Sequence, residues 1–293
     1  MFIATLIAAD RLSSGDISTA EDALAEAGGY FMGRSWVEAD KACDLLFSSP
    51  PAPVRRALEG LVSGIDVIVQ GEAGRRKKLL VADMDSTMIG QECIDELADC
   101  VGLKAEVSAI TERAMRGEIA FEPALRERVA LLKGLPASVV DEIIQKRITL
   151  TPGGRALVQT MRAHGGHACL VSGGFTLFTG PIAARIGFDE HRANRLILNG
   201  GRLAGLVEEP ILGREAKLAT LLELRERLGL GAHDTMAVGD GANDLAMLSE
   251  AGLGIAYKAK PAVAAAAHAR IDHADLSALL YVQGYRAHEI VNP

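Results

Sequence analysis

The sequence predicts an α/β protein, in which a doubly wound, parallel, Rossmann-like sheet carries a helical cap insertion and follows a smaller ferredoxin-like α+β segment. Three observations support this fold class. Short apolar stretches without polar alternation, such as residues 79–82, are typical of strands that helices cover on both faces. Helical patterns separate these stretches and produce repeated strand–helix units. The 293 residues are also about twice the length of one domain, so two units are expected.

The first 72 residues show the element order β-α-β-β-α-β, which predicts the ferredoxin-like sandwich. The predicted elements are a strand at 2–9, a helix at 19–27, strands at 30–37 and 41–47, a helix at 54–61 and a strand at 65–69. Residues 71–78 are polar, contain glycine and include four consecutive basic residues at 75–78, which predicts a solvated linker. We therefore place a domain boundary between residues 72 and 73.

Residues 73–293 alternate buried strands with helices. The predicted strands are 79–82, 168–171, 235–238 and 253–256, and the predicted helices are 155–164, 177–186, 215–228, 244–250 and 261–268. A mostly helical stretch separates the first two strands and is too long for an ordinary crossover, which predicts a cap inserted at about residues 88–150. Asn199, Gly200 and Gly201 lie between two apolar-alternating arms, so residues 194–208 are predicted to form a hairpin.

Composition favours a small-molecule partner. The 31 basic and 38 acidic residues give a net charge of −7, without the broad basic excess that steers proteins to nucleic acid or anionic membrane. The apolar residues 2–9 are too few for a membrane span and lack the flanks of a signal peptide. The four cysteines contain no C-x-x-C pair, so we expect reduced thiols in a cytoplasmic protein.

Two carboxylates, Asp83 and Asp85, directly follow the strand at 79–82. This places them at the carboxyl end of the parallel sheet, where open α/β folds bind ligands. Strand alternation directs both side chains to one side, so that one carboxylate can attack while the other handles a proton, and a shared divalent cation can relieve their repulsion. An aspartate after a strand is also a common helix cap or turn residue, and this pair alone does not decide between the two interpretations.

Three further segments bear on that choice. Ser172 and Gly173 end the next predicted strand, where a hydroxyl and unobstructed main-chain N–H groups can approach phosphate oxygens. Lys217 lies in an amphipathic helix, where a single lysine is usually solvent-exposed. Asp240 and Asp244 occupy a strand-to-helix turn whose oxygen ligands suit a hard cation. Together the segments favour a phosphate and metal site over ordinary loop residues.

In order and separation, these segments closely resemble the haloacid dehalogenase-type phosphohydrolases, which carry D-x-D-x-T, a Ser or Thr ending the second strand, a Lys, and G-D-x-x-x-D. The resemblance covers residues 79 to about 272. Within that superfamily the sequence is most similar to the phosphoserine phosphatases. The further residues that carry this similarity are Glu92, Phe121, Arg128 and Asn243. Residues 1–72 resemble the ACT-like regulatory domain of longer members, on element order alone.

The resemblance implies hydrolysis of O-phospho-L-serine to L-serine and phosphate, as the last step of serine biosynthesis, with Mg²⁺ as cofactor. It implies that Asp83 attacks phosphorus and forms an aspartyl-phosphate, and that Asp85 is the general acid/base. Mg²⁺ would be bound by Asp83, the main-chain carbonyl of Asp85 and Asp240, with Asp244 in support. Ser172, Gly173 and Lys217 would bind the phosphate oxygens. Serine regulation through residues 1–72 and a homodimer are further expectations.

The same resemblance assigns substrate recognition to the cap. Glu92 and Arg128 would pair with the ammonium and carboxylate of the substrate, and Phe121 and Asn243 would complete the binding surface. Without the family match, charged residues of a helical insert are more often surface residues. A surface position without a binding role therefore remains an alternative for Glu92 and Arg128.

Two alternative functions remain at this point. The first is a phosphatase or phosphotransferase of the same superfamily that acts on another small phosphomonoester. The second is an amino-acid-sensing binding protein, which the sequence disfavours because a sensor needs neither Asp83 and Asp85 nor Lys217.

Overall fold

The structure is a computed structural model and describes residues 1–115 and 118–291. Its strands are β1 (Phe2–Ala8), β2 (Phe31–Glu38), β3 (Ala42–Phe47), β4 (Ile65–Gly71), β5 (Leu79–Ala82), β6 (His167–Phe175), β7 (Glu190–Asn194), β8 (Leu196–Asn199), β9 (Arg202–Val207), β10 (Thr235–Gly239), β11 (Leu253–Tyr257) and β12 (Ala269–Ile271). Its α-helices are α1 (Ser14–Glu26), α2 (Pro51–Leu58), α3 (Cys93–Cys100), α4 (Lys104–Met115), α5 (Phe121–Leu131), α6 (Val139–Lys146), α7 (Gly154–Ala163), α8 (Thr176–Ile186), α9 (Arg214–Arg227), α10 (Leu245–Glu250), α11 (Pro261–Ala266) and α12 (Ala278–Val282).

The N-terminal segment forms a four-stranded antiparallel sheet in the order β2-β3-β1-β4, with helices α1 and α2. Both helices begin earlier than predicted. The side chain of Ser13 accepts a hydrogen bond from the main chain of Asp16, whose carboxylate accepts one from the Ser13 main chain, so a capping box starts α1 at Ser14. Pro51 occupies the first turn of α2, where a missing N–H group has no cost. The identity of this segment as an ACT-like domain stays a prediction.

The two faces of this antiparallel sheet are both covered. Leu6 packs with Leu24 of α1 and Leu58 of α2 in one apolar core. Ile7 and Ile68 belong instead to the core of the parallel sheet unit. The N-terminal sheet therefore packs directly against the remainder of the chain.

The prediction of a solvated linker at residues 71–78 was wrong for two of its basic residues. Arg75 contacts Asp44 of β3 through Nη1 at 2.6 Å, and its Nη2 donates to the carbonyl of Tyr281 at 3.0 Å. Lys77 is buried, and its ammonium donates to the carbonyl oxygens of Gly74 and His233. Local sequence does not reveal these acceptors, because three of the four lie far away in the chain.

Six of the remaining strands confirm the predicted parallel sheet, with the order β12-β11-β10-β5-β6-β7. In β5, Leu80 packs in the core that contains helices α7 and α8, whereas Leu79 packs in the core that contains α9 and α10. This two-sided burial explains the absence of polar alternation. Strands β7 and β12 were not predicted. They are short edge strands that carry charged residues, a pattern that protects sheet edges from pairing with other chains. Because such strands lack a regular apolar pattern, hydrophobic periodicity does not predict them.

The cap consists of α3 to α6, between β5 and β6. The chain enters and leaves it through two adjacent segments that pair at Ile89 and Leu150. The predicted hairpin is confirmed as β8 and β9, and its turn residues Gly200 and Gly201 have φ values of 57° and 75°, which glycine adopts without strain. Among the described residues, no helix is both long and apolar enough to cross a membrane.

Candidate active site

Three neighbouring strands of the parallel sheet present polar residues at one edge. Asp83 follows β5, Ser172 lies near the end of β6, and Asp240 follows β10. Because β5 lies between β10 and β6 and all three are parallel, their carboxyl ends converge. The sheet topology therefore brings together side chains that are far apart in the sequence.

An acidic cluster forms at this edge. Asp83, Asp240 and Asp244 each offer a carboxylate oxygen, and these oxygens lie within 4.8 Å of one another. Lys217 reaches the cluster from α9, with its Nζ 2.7 Å from Oδ1 of Asp83 and 2.7 Å from Oδ1 of Asp244. Lys217 is only 1% exposed, unlike the usual single lysine of an amphipathic helix.

Burial controls the electrostatics of this cluster. Burial raises the pKa of Asp83 well above its usual range, and the neighbouring charge of Asp244 raises it further, against the opposing effect of Lys217. The pKa of Asp240 is raised by burial and by Asp244. Burial alone would lower the pKa of the Lys217 ammonium. The negative charges of Asp83 and Asp244 have a larger, opposite effect, so the pKa is raised. This crowding of carboxylates around one ammonium is a donor set that suits a hard divalent cation.

The second carboxylate of the motif, Asp85, lies between the sheet and the cap. Its Oδ1 accepts the main-chain N–H of Cys93, at the start of α3, at 3.1 Å. Its Oδ2 accepts the hydroxyl of Ser172 at 3.3 Å. Burial raises the pKa of Asp85, while the hydrogen bonds from Cys93 and Ser172 and the charge of Lys217 oppose that effect. Asp83 and Asp85 thus both lie within the field of Lys217.

Two glycines allow these groups to approach so closely. A Cβ on Gly174 would lie 3.0 Å from Oγ of Ser172 and 3.1 Å from Oδ2 of Asp85. A Cβ on Gly239 would lie 2.3 Å from Cγ of Asp244. A side chain at either position would displace a carboxylate of the site.

Sequence reasoning assigned no role to two residues that support the site. Asn194 donates to the carbonyl oxygens of Gly173 at 2.8 Å and Leu212 at 3.1 Å, so it holds the end of β6 in place. Thr87 is fully buried, and its hydroxyl is 3.4 Å from Oδ1 of Asp240. The threonine of the D-x-D-x-T motif was a usable signal for Thr87. Asn194 gave none, because it ends the unpredicted strand β7.

The cap places the predicted recognition residues around this edge. Glu92 precedes α3 and accepts a hydrogen bond from the hydroxyl of Ser86 at 2.7 Å. Glu92 is exposed, yet the protein atoms around its carboxylate remove part of its hydration, and this desolvation, together with the charge of Asp85, raises the pKa of Glu92 to about 7. Arg128 of α5 is half-buried and donates through Nη1 to the hydroxyl of Thr111 at 3.2 Å.

The electrostatic surroundings of Arg128 link it to the same region. Burial lowers the pKa of Arg128, and the charges of Asp95 and Glu92 oppose that effect. Among the described residues, Arg128 has no carboxylate within salt-bridge distance. Its charge thus remains available to an anionic group.

The last two predicted residues lie at the margin of the site. Phe121 is 39% exposed, and its ring lies 3.4 Å from the position that a Cβ on Gly173 would occupy. Asn243 is exposed, and its side chain folds towards Gly241 in the loop after β10. Phe121 therefore covers the end of β6, whereas Asn243 lies in the loop after β10.

Comparisons with known proteins agree with this geometry. Residues 80–249 match the family model of the haloacid dehalogenase-like hydrolases. A phosphoserine phosphatase of Polaromonas sp. is 48% identical over 208 residues, which are 69% of this chain and 88% of that protein. A solved haloacid dehalogenase family hydrolase of Salmonella enterica serovar Typhi has a TM-score of 0.83 and 30% identity, covering 96% of this chain and 98% of the other. A solved phosphoserine phosphatase, described as a phospho-aspartyl intermediate analogue, has a TM-score of 0.65 and 42% identity over 70% of this chain and 98% of its own.

Proposed function

The chain belongs to the haloacid dehalogenase-like hydrolases and is a phosphatase, and we propose that its substrate is O-phospho-L-serine, which it hydrolyses to L-serine and phosphate. One observation carries the substrate proposal: Glu92 and Arg128 present opposite charges from the cap above the phosphate-binding edge. A phosphorylated amino acid has an ammonium and a carboxylate beyond its phosphate, so that each charge has a partner. The name of the Polaromonas relative supports the same substrate.

The first chemical step is attack by Asp83 on phosphorus. A bond forms between a carboxylate oxygen and phosphorus while the bond to the serine oxygen breaks, and Asp85 donates a proton to that departing oxygen. Water then attacks phosphorus, Asp85 takes its proton, and the bond to Asp83 breaks to release phosphate. The raised pKa of Asp85 supports this role, because it favours the protonated carboxyl group that donates to the departing oxygen.

The carboxylate cluster fits Mg²⁺. Asp83, the main-chain carbonyl of Asp85 and Asp240 would hold the ion, and Asp244 would support the site through its contact with Lys217. When bound, Mg²⁺ supplies positive charge against the phosphoryl oxygens. The excess of carboxylate charge over the single ammonium of Lys217 is the observation that supports this assignment.

Binding of the remaining phosphoryl oxygens falls to Lys217, Ser172 and the main-chain N–H of Gly173. Lys217 is already held between Asp83 and Asp244, so its ammonium is pre-oriented when the substrate arrives. Phe121, above Gly173, excludes water from this side of the site, and Asn243 contacts the substrate from the opposite loop.

The wider role follows from the substrate. Release of serine from its phosphate would complete serine biosynthesis. Residues 1–72 would then be an ACT-like regulatory domain that senses serine, joined to a phosphatase domain at 73–293 with its cap at about 88–150. A homodimer is part of the same proposal.

A phosphate-release panel tests the substrate. Phosphoserine, phosphothreonine and sugar phosphates are compared with and without Mg²⁺, and kcat/KM should be greatest for phosphoserine. A higher kcat/KM for a sugar phosphate would favour the alternative of another small phosphomonoester. Serine binding without turnover of any phosphate ester would favour the amino-acid sensor.

A further inference from the structure

We propose that Ser86 is a specificity-positioning residue, whose hydroxyl holds the carboxylate of Glu92 in the direction from which it binds the substrate ammonium. This inference rests on the proposed function, because the ammonium belongs to phosphoserine. Neither the motif nor the family resemblance assigned Ser86 a role. The inference is carried by the backbone at Ser86 and by the contacts of Glu92.

The backbone at Ser86 is unusual. Its φ of 54° and ψ of 6° lie in the left-handed region, which residues with a Cβ rarely adopt. The main-chain N–H of Ser86 points towards the carbonyl of Gln91, at 3.4 Å, and so closes a short loop that leads from Asp85 to the cap. A glycine would adopt this conformation without strain, so the side chain of Ser86 calls for a reason of its own.

That reason is the hydrogen bond to Glu92. Oγ of Ser86 donates to Oε1 of Glu92 at 2.7 Å. Ser86 belongs to the loop that follows the nucleophile, whereas Glu92 immediately precedes the first cap helix, α3. The hydrogen bond therefore ties the recognition carboxylate to the same loop that carries Asp85. One oxygen of Glu92 is used in this way, which leaves Oε2 to face a ligand.

Among the described residues, the carboxylate of Glu92 has no salt-bridge partner that would orient it. Within residues 1–115 and 118–291, no lysine, arginine or histidine lies within salt-bridge distance of its carboxylate. Arg128 acts on it only from beyond salt-bridge distance, whereas three acidic groups, Asp85, Asp240 and Asp95, repel its charge. Repulsion from these three groups would turn an unrestrained carboxylate away from the site. The hydroxyl of Ser86 opposes that movement, and the arriving ammonium supplies the missing opposite charge.

Two substitutions at Ser86 distinguish the effect of its hydroxyl from the effect of its backbone conformation. Ser86→Ala removes the hydroxyl and keeps the Cβ, whereas Ser86→Gly also relieves the left-handed conformation. We expect both variants to lower kcat/KM for phosphoserine about tenfold, mainly by raising KM, which is the effect of losing one hydrogen bond to a charged group. With 4-nitrophenyl phosphate, which has no ammonium, kcat/KM should change less than about twofold. Parallel losses on both substrates, or normal phosphoserine turnover in Ser86→Gly alone, would overturn the proposal.

A double-mutant cycle gives an independent test. If Ser86 acts through Glu92, Ser86→Ala in a Glu92→Gln background should lower kcat/KM for phosphoserine by less than about twofold. A full additional tenfold loss would mean that Ser86 acts elsewhere. The substrate preference of the wild-type enzyme shows whether a negative result contradicts this inference or the proposed function. If it does not prefer phosphoserine to the aryl phosphate, the proposed function fails, whereas a clear preference that survives Ser86→Ala overturns only the role of Ser86.

Discussion

The ammonium of Lys217 lies 2.7 Å from Oδ1 of Asp83, and both side chains are almost inaccessible to solvent. A buried carboxylate is normally driven to its neutral form, which cannot attack phosphorus. The contact with Lys217 opposes that tendency, because the ammonium favours the charged form of the proposed nucleophile. The proposed nucleophile and the proposed phosphate-binding cation therefore each change the charge state of the other.

Asp83→Asn should abolish turnover and leave the protein folded. An amide cannot serve as the attacking carboxylate, but it occupies nearly the same volume at a strand end. Lys217 also keeps its contact with Asp244 in this variant. Phosphate release is measured together with thermal unfolding, and Asp99→Asn, at an exposed position, is the control. A folded Asp83→Asn enzyme that retains more than a small fraction of the wild-type rate would remove Asp83 as nucleophile.

Removal of divalent cations should abolish phosphatase activity. Without a cation, Asp83, Asp240 and Asp244 repel one another, and the ammonium of Lys217 and the charge of Lys260 near Asp240 offset this repulsion only in part. Activity is measured after dialysis against a chelator and again after Mg²⁺ is added back. Ca²⁺ should restore activity poorly, since it accepts more ligands at longer distances than Mg²⁺. Full activity in excess chelator would exclude the metal-dependent mechanism.

Substitution of the charged cap residues should lower the turnover of one substrate more than that of another. Arg128→Ala and Glu92→Gln should each lower kcat/KM for phosphoserine by at least about tenfold, because each removes a charged hydrogen-bonding partner. An aryl phosphate has neither an ammonium nor a carboxylate, and its turnover should fall much less. Arg126→Ala is a matched control on the same helix, since Arg126 pairs with the exposed Glu122 and Glu209. Equal losses on both substrates would assign Glu92 and Arg128 to the fold or to cap closure.

The raised pKa of Glu92 predicts a pH effect on substrate affinity. Its pKa is about 7, so the carboxyl gains a proton and loses its charge as the pH falls through that value. The neutral acid attracts an ammonium less strongly, and the KM for phosphoserine should therefore rise between about pH 8 and pH 6. The comparison is with an aryl phosphate, whose KM should not follow this transition. Glu92→Gln should remove the difference between the two pH profiles, and a persistent difference would assign the transition to another group.

The contact between the N-terminal sheet and the parallel sheet unit should contribute to stability. Nη1 of Arg75 lies 2.6 Å from Oδ2 of Asp44, and both side chains are largely buried. Asp44→Ala leaves the guanidinium without its carboxylate, which should lower the free energy of unfolding by about 3 kcal/mol. Urea unfolding measures the change. Arg11→Ala removes an exposed pair with Asp40 and should cost less than about 0.5 kcal/mol. Equal, small effects of both substitutions would show that the Asp44–Arg75 contact does not stabilise the protein.

The sequence by itself determined the parallel sheet and the position of its acidic motifs. Strands such as Leu79–Ala82 are apolar at every residue because helices cover both faces, and this pattern is local. Asp83 and Asp240 follow such strands directly, so their convergence is a consequence of parallel topology. The turn at Gly200 and Gly201 was equally local, since it depends on φ values that glycine adopts readily.

The tertiary structure alone decided which charged residues are buried and what they contact. Nothing in the helix around Lys217 distinguishes it from Arg214, yet Lys217 is 1% exposed between two aspartates, whereas Arg214 lies at the surface. The same holds for Arg75, whose acceptors lie 31 residues before it and 206 residues after it. Hydrophobic periodicity reports the environment of a face, whereas the burial of one charge depends on a partner brought there by the packing of distant elements.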